Sequence, residues 1–497
     1  MTRNYLADYN EFVISANARE TALNTEQTLD TLLRIAKANI IEADPRSESN
    51  ADELTGHEEP DRLYRLGWML GKTIEFPKAQ PQHFAIGYGF GLGICTPTGW
   101  GSGKKHLCLP TSDMLLPGFT AAMKLGAEIE KRRHASNFVD TLTSTWAKDS
   151  WAKLSLGLKG TGKYTSNIYE ETKSAAYNAA TLALLANAVQ GATPAARLDS
   201  LHMLRVYVPN LSYWLEKIVT EISGATPAVL TVTPPTPEVD GAIDIAFVET
   251  GKHITSVSTD FTTKNFQPGD SIIVSGSDSN DGTYTIVTVA ANLIVVAEVI
   301  ADEIAGDEID IELATACNYK ALYVPTEPAW CTFPDYIEEP PLRVTDVVLK
   351  LGGKWNGTTF LGGHTIDSEV NSIEHQLNNQ ILIEFRIGGT GDYANYALRT
   401  GRIQTLKLDR QVRDWILNNW MEQNEYIGVY LKATVDEFES GKNYYVETVF
   451  PKCGILTAPL KVDGKVLGQA GDLQVLEDLT YGSVRAEIAN KVNAYAA

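Results

Sequence analysis

Two apolar stretches flank a polar gap near the start of the chain. Residues 31–41 fit helix or strand by pattern, and their isoleucine-rich end favours strand. Residues 63–76 return as a second extended segment. Between them, 42–61 carries Glu42, Asp44, Glu48, Asp52, Glu53, Glu58, Glu59 and Asp61 against Arg46 alone, and Pro45, Gly56 and Pro60 break regular structure. The pattern predicts a long hairpin over 31–76 with an acidic loop at its tip. Arms of about 14 residues would reach about 45 Å. Loops longer than about 12–15 residues are uncommon unless functional. Residues 1–30, polar with scattered apolar positions, read as an extended arm.

Pro81 opens a predicted short helix (AQPQHFAIGYGFGLG, 79–93), with the proline in its first turn. Residues 151–158 alternate as a strand, the composition of 175–188 suits a helix, and 202–208 and 212–222 read as further strands. A Pro-rich linker, TPPTP at 233–237, introduces short β runs to about 313. Within them Asp281-Gly282 is predicted to close a hairpin, because glycine tolerates positive φ. Residues 298–312 carry seven acids and no base, which reads as a solvated face. From 314 onwards, a second hairpin (344–353 and 364–375) is followed by strands at 381–389 and 402–411. An amphipathic helix comes next over 412–426, with Trp415, Ile416 and Trp420 on one face, and then more strands. KTIEFPKAQPQHFAI and QTLKLDRQVRDWILN hold comparable places in the two halves, which suggests a duplication. The predicted domains are an arm (1–30), a first β-sandwich unit (31–232), an inserted all-β module (238–313) and a second sandwich unit (314–497).

Composition narrows the function classes. The chain has 497 residues, 44% hydrophobic and 21% charged, as a protein with well-filled cores does. Its net charge of −20 argues against a protein that grips nucleic acid, which needs cations at the phosphates. It does not argue against a surface past which nucleic acid slides. No run is long and apolar enough for a membrane helix, and 1–10 lacks the pattern of a signal peptide, so folding in a cytoplasm is expected. Cys95, Cys108, Cys317, Cys331 and Cys453 are widely spaced, without a CxxC pair, and read as buried structural thiols.

Chemical motifs are weak. GLKGTGKY (157–164) nearly matches a phosphate loop, but Tyr164 stands where a serine or threonine must bind Mg²⁺, so a P-loop enzyme rests on Lys163 alone. GYGFGLG (87–93) is not GxGxxG; its glycines suit helix termination and close packing. Asp278, Asn280 and Asp281 lack the glycine spacing and bidentate glutamate of a calcium loop. The eight histidines form no HExxH. No catalytic, cofactor or metal site is predicted.

The chain resembles the major tail tube proteins of long-tailed bacteriophages. The resemblance is carried by ADELTGHEEPDRLYRLG (51–67) ahead of the short helix, by RIQTLKLDRQVRDWILNN, NYYVETVFPKCGIL and SVRAEIANKVNAYAA in the last part, and by FQPGDSIIVSGSDSNDGTYTIVTV (266–289), similar to small β-domains inserted in virion proteins. It implies a mainly β fold with tail-tube-type β-sandwich units, two per chain, each with a short helix, plus a small all-β module on the tube exterior. It also implies a non-enzymatic virion protein, assembled in a bacterial cytoplasm, whose rings of six sandwiches stack into a conduit for DNA ejection. Expected partners are further copies of itself, in trimeric pseudo-hexameric or hexameric rings, together with tape-measure, terminator and tip proteins. Genomic DNA would pass without specific binding, and no membrane is involved. Glu48, Asp52, Glu53, His57, Glu58 and Glu59 are the expected contacts to the adjacent ring. The other readings are a carbohydrate- or receptor-binding virion protein, using Trp330, Trp355 and Tyr393, and the P-loop enzyme.

Overall fold

The computed structural model describes residues 7–53, 58–126, 130–183, 187–208, 213–233, 236–264, 266–366, 368–389 and 391–496. The protein is mainly β and divides into two compact units, 1–166 with 330–497, and 167–329. The division departs from the expected boundaries. The two outer stretches of chain form one body, and the insertion between them is about twice as long as the sequence suggested.

The outer unit is built on one strand plan used twice. In the first repeat, Glu11–Ile14 pairs with Phe119–Leu125, which pairs with Glu130–Ala147, then Lys153–Gly160, Leu63–Phe76 and Asp44–Ser49, all antiparallel. In the second, Val347–Trp355 pairs with Tyr426–Glu439, then Lys442–Thr457, Val466–Val475, Ile403–Gln411 and Val370–Asn378. Each repeat has a helix at the same point in this order, Pro81–Leu92 and Ile416–Glu422. The same bulge interrupts both central hairpins, between Val139 and Thr141 and between Ile455 and Thr457. A bulge places two residues opposite one and bends the strand, so it serves as a fixed point for alignment. Aligned there, Phe76 opposite Leu154 corresponds to Arg410 opposite Gln469.

The two helices differ in how they are held. All of Pro81–Leu92 is buried, so it is enclosed around its circumference and not on one stripe. The His83 ring Nδ1 accepts from the Gln80 N–H at its start, and Gly93 ends it at φ 101°. A Cβ on Gly87 would meet Leu142 Cδ1 at 2.9 Å, so glycine there lets the sheet approach the helix. Phe84, Ile86, Phe90 and Leu92 each contribute about 1.5–3 kcal/mol by burial. The helix predicted over 412–426 is only Ile416–Glu422, and Leu417 is its buried residue; Trp415 is 57% exposed.

Other expectations change as well. The 1–30 arm contains the strand Glu11–Ile14, whose Phe12, Val13 and Ile14 are core residues; four residues are too short a run to register as periodic. Only Thr31–Leu33 of 31–41 is strand, and the acidic loop begins with the strand Asp44–Ser49. Within the inner unit, 175–188 holds strand at Tyr169–Ala176 and Thr181–Ala183 and no helix among its described residues.

Within the span expected as a separate module, Val239 to Leu313 form a seven-stranded antiparallel sheet. It is nested within a further pair of sheets contributed by 169–232 and Ala316–Tyr323. Val232 and Val239, either side of the Pro-rich linker, belong to one hydrophobic core, so the linker joins two parts of one unit. The hairpin before Gly282 turns at Gly276, φ 91°, and not at Gly282, which opens the next strand. The outer unit's exit and return lie together: Thr165 pairs with Arg133, whose guanidinium stands 4.9 Å from the Trp330 ring.

This packing makes stability depend on pH. Burial lowers His83 to about 3, and His134 and His375 to about 4. Below about pH 6.5 the unfolded chain binds protons that these rings refuse, so each removes up to about 1.4 kcal/mol of stability per pH unit. Buried Glu339, raised to about 8, acts in the other sense and loses its contribution as pH rises from 4.5 through 8. Three groups outweigh one below pH 6.5, so urea midpoints fall on acidification from there. His375→Gln gives a shallower acid limb; an unchanged limb contradicts the assignment. Separately, replacing 167–329 by a flexible linker of about six residues, spanning about 13 Å, leaves a soluble outer unit with cooperative unfolding by circular dichroism.

Candidate functional site

The feature that unites the outer unit is the seam between its repeats. Residues 372–378 of the second repeat lie antiparallel along 141–147 of the first, in register from Ser372 opposite Ala147 to Asn378 opposite Thr141. Glu130–Ala147 is long enough, at 18 residues, to serve Phe119–Leu125 with its first half and this seam with its second. Ser136 sits between the halves at φ 52°, and its N–H and Oγ donate to the Glu20 carboxylate at 2.8 and 2.5 Å. Burial raises the Glu20 carboxyl, against the opposing pull of the Ser136 and Thr120 hydrogen bonds.

Below the seam the side chains interlock. Trp146 stacks on Phe84 of the first helix, ring centroids 5.4 Å apart. The Tyr88 hydroxyl hydrogen-bonds His375 Nδ1 at 3.1 Å, and His375 Nε2 hydrogen-bonds Gln404 Oε1 at 3.2 Å. Burial raises Tyr88 to about 12, so the phenol stays protonated and can donate. At one end of the seam, Asp140 Oδ1 accepts from Ile381 N–H at 2.7 Å, and Asn379 Nδ2 donates to the Gly91 and Val139 carbonyls, both at 2.9 Å. One hydrophobic core spans both repeats.

The hairpin over 44–76 carries the expected acidic residues. Glu48 is in the strand opposite Tyr64, and Asp52 and Glu53 lie in the turn beyond it; all three are exposed. The Tyr64 hydroxyl donates to Glu53 at 3.3 Å, and Asn50 binds Asp61 at 2.7 Å, closing the base of the loop. Glu58 and Glu59 are exposed, and His57 lies outside the described residues. Leu63, Tyr64 and Leu66 are exposed on the same hairpin, an apolar component that reading the acids alone missed.

The other candidates do not form a reactive site. Lys163 of the phosphate-loop-like turn donates to the Asn24 carbonyl at 2.8 Å, and the turn leads into the strand Tyr164–Ser166 and not a helix. Trp355 is buried with Arg485 over its ring, Trp330 lies under Arg133 and Tyr393 under Lys163, so none is displayed as a sugar platform.

His364, Glu369 and Asp414 converge, but both carboxylates already pair with buried Arg410, 3.4 Å from Glu369 and 2.9 Å from Asp414. Burial would raise the Asp414 carboxyl; Arg410 and the Ile416 N–H bring it below the usual range. A cavity of about 570 Å³ is lined by Trp100, Tyr445, Lys105, Lys432, Arg485, Glu447 and Glu487, and its cations already pair with its two carboxylates. All five cysteines are buried, and none is in a disulfide. Cys95 and Cys108 face each other across a hairpin at 3.1 Å, and Cys95 is lowered to about 6 by the Cys108 hydrogen bond and nearby His106.

No protein-family model matches this chain, and no curated protein does either.

Because the repeats share one core across the seam, Leu377→Ala should cost about 2–5 kcal/mol and leave the outer unit unfolding in a single urea transition. Separate transitions for the two repeats would show that each folds on its own.

Proposed function

We propose that this chain is the repeating subunit of a phage tail tube, a structural virion protein whose rings stack into the conduit for DNA ejection. The observation that carries the reading is the duplicated strand plan, its two copies sewn edge to edge by a main-chain ladder. A wall with six sandwich positions then needs three chains, each giving two. Fusion favours closure, because the second sandwich docks at high effective concentration.

The acidic hairpin loop is read as the contact to the adjacent ring. Its exposed acids, with Leu63 and Leu66 beside them, suit a partner that is basic at the rim and apolar at the centre. The inner unit, 167–329, is read as decoration of the tube's exterior. The net charge of −20 suits a lumen wall that repels phosphates, so that DNA passes without holding. Tape-measure, terminator and tip proteins are the remaining expected partners. The reading requires no catalytic centre, metal or cofactor.

Electron micrographs of the purified protein test the reading: rings and stacked tubes are expected, and monodisperse globules under all conditions reject it. Deleting 51–60 should leave rings that no longer stack, and stacking by the full chain should weaken with salt. Normal tubes from the deletion variant would remove the loop's role. Tubes should also form without 167–329.

A further inference from the structure

The internal seam has a donor edge and an acceptor edge, and each has a counterpart elsewhere in the outer unit that no strand covers among the described residues. The acceptor is 141–147. Aligned on the shared bulge, its counterpart in the second repeat is 457–463. There Leu460–Asp463 pairs on one side with Val466–Val475, as 141–145 pairs with Lys153–Gly160, but its other side has no ladder. The exposures differ accordingly. Trp146, covered at the seam, is 3% exposed, and its counterpart Val462 is 77% exposed. Ser144 is 2% exposed against 44% for Leu460. Leu456, Val466 and Leu467 extend the uncovered apolar edge.

The donor is 372–378. Asn378 lies opposite Ile403, and the first-repeat residue corresponding to Ile403 is Met69, which lies opposite Asp44. The counterpart of the donor is therefore 38–44. Its alternation agrees: Ile41 and Ala43 are buried, as His375 and Leu377 are. Here 38–43 is not a strand, and its Ile41 N–H is held by Met123 Sδ at 3.1 Å, a contact that strand addition must exchange; it nevertheless lies along the correct neighbour, with Ala36 N–H donating to the Glu75 carbonyl and Asn39 accepting from Glu75 N–H. Ile40 is 49% exposed.

We infer that 38–44 of one copy adds as an antiparallel strand to 457–463 of the next, repeating between chains the seam each chain already contains. This deepens the ring reading and rests on it. The contact is head to tail, so successive copies form a ring when the rotation per step closes and a helical filament when it does not. The internal register transfers directly and sets Ile40 opposite Lys461, as Glu374 is opposite Thr145. Pro459 does not obstruct the ladder. Its carbonyl accepts from Ala470 on the paired side, and in an antiparallel ladder a residue's N and O face the same way, so the missing N–H is not on the open edge. Pro459 and Lys461 instead discourage unregistered pairing, as edge prolines and lysines do.

The test is the full-length double variant Ile40→Cys with Lys461→Cys, oxidised after assembly; paired Cα atoms in this register fall within disulfide reach. Expected are interchain crosslinks that build a ladder ending at a closed species, and none from the off-register pair Ile40→Cys with Thr457→Cys. Rings in micrographs without the crosslink overturn this seam and leave the ring reading standing. Neither rings nor crosslinks sinks both. Val462→Asp changes an exposed side chain, so it should keep the single chain's melting temperature and abolish rings. Rings formed by that variant would also overturn the seam.

Discussion

The outer unit depends on one row of backbone hydrogen bonds, the ladder between 372–378 and 141–147. A sheet edge leaves main-chain donors and acceptors without partners and invites unplanned pairing. Joining the repeats through that ladder removes one such edge from each. It also fixes the core beneath it. Tyr88 on the first helix reaches His375 on the second repeat, and Trp146 on the first repeat packs on the same helix. Pro81–Leu92 is therefore closed in on all sides, and glycines at 87, 89 and 91 set how closely the surrounding chain approaches.

The two repeats use one plan with different chemistry. Phe76 and Leu154 form an apolar pair in the first; the corresponding Arg410 and Gln469 hydrogen-bond each other in the second, with Glu369 and Asp414 completing the shell of the buried guanidinium. A buried arginine left without those partners would cost several kcal/mol, so the four groups form an interdependent set. The replacement of a hydrophobic pair by this set is one place where the repeats differ in chemistry at the same position of the plan. The helices diverge too, 12 residues against seven.

The features legible in the sequence were the local and periodic ones. Pro81 and the apolar run after it gave the first helix, and KTIEFP and QTLKLDRQ held corresponding strands, as their comparable places suggested. The 14-residue strand Leu63–Phe76 and the all-β character of 239–313 were also readable. The elements that were missed depend on distant pairing. Glu11–Ile14 is a strand because Phe119–Leu125 lies beside it, and nothing in EFVI alone says so. The true limits of the insertion were hidden because the proline-rich segment, the strongest punctuation mark, falls inside it, while the exit at Ser166 has no special composition. The acidic loop was visible by charge, but the open edges at 38–44 and 457–463 were not. An edge is recognised only when the strand that should cover it is found in the other repeat.

The central claim is that two fused sandwiches per chain build a closed ring. Native mass spectrometry of single rings, released from tubes at low protein concentration, measures it most directly. The account predicts a mass of three chains; a mass of six chains would contradict it, since each chain would then fill one position and the internal seam would have no counterpart between subunits.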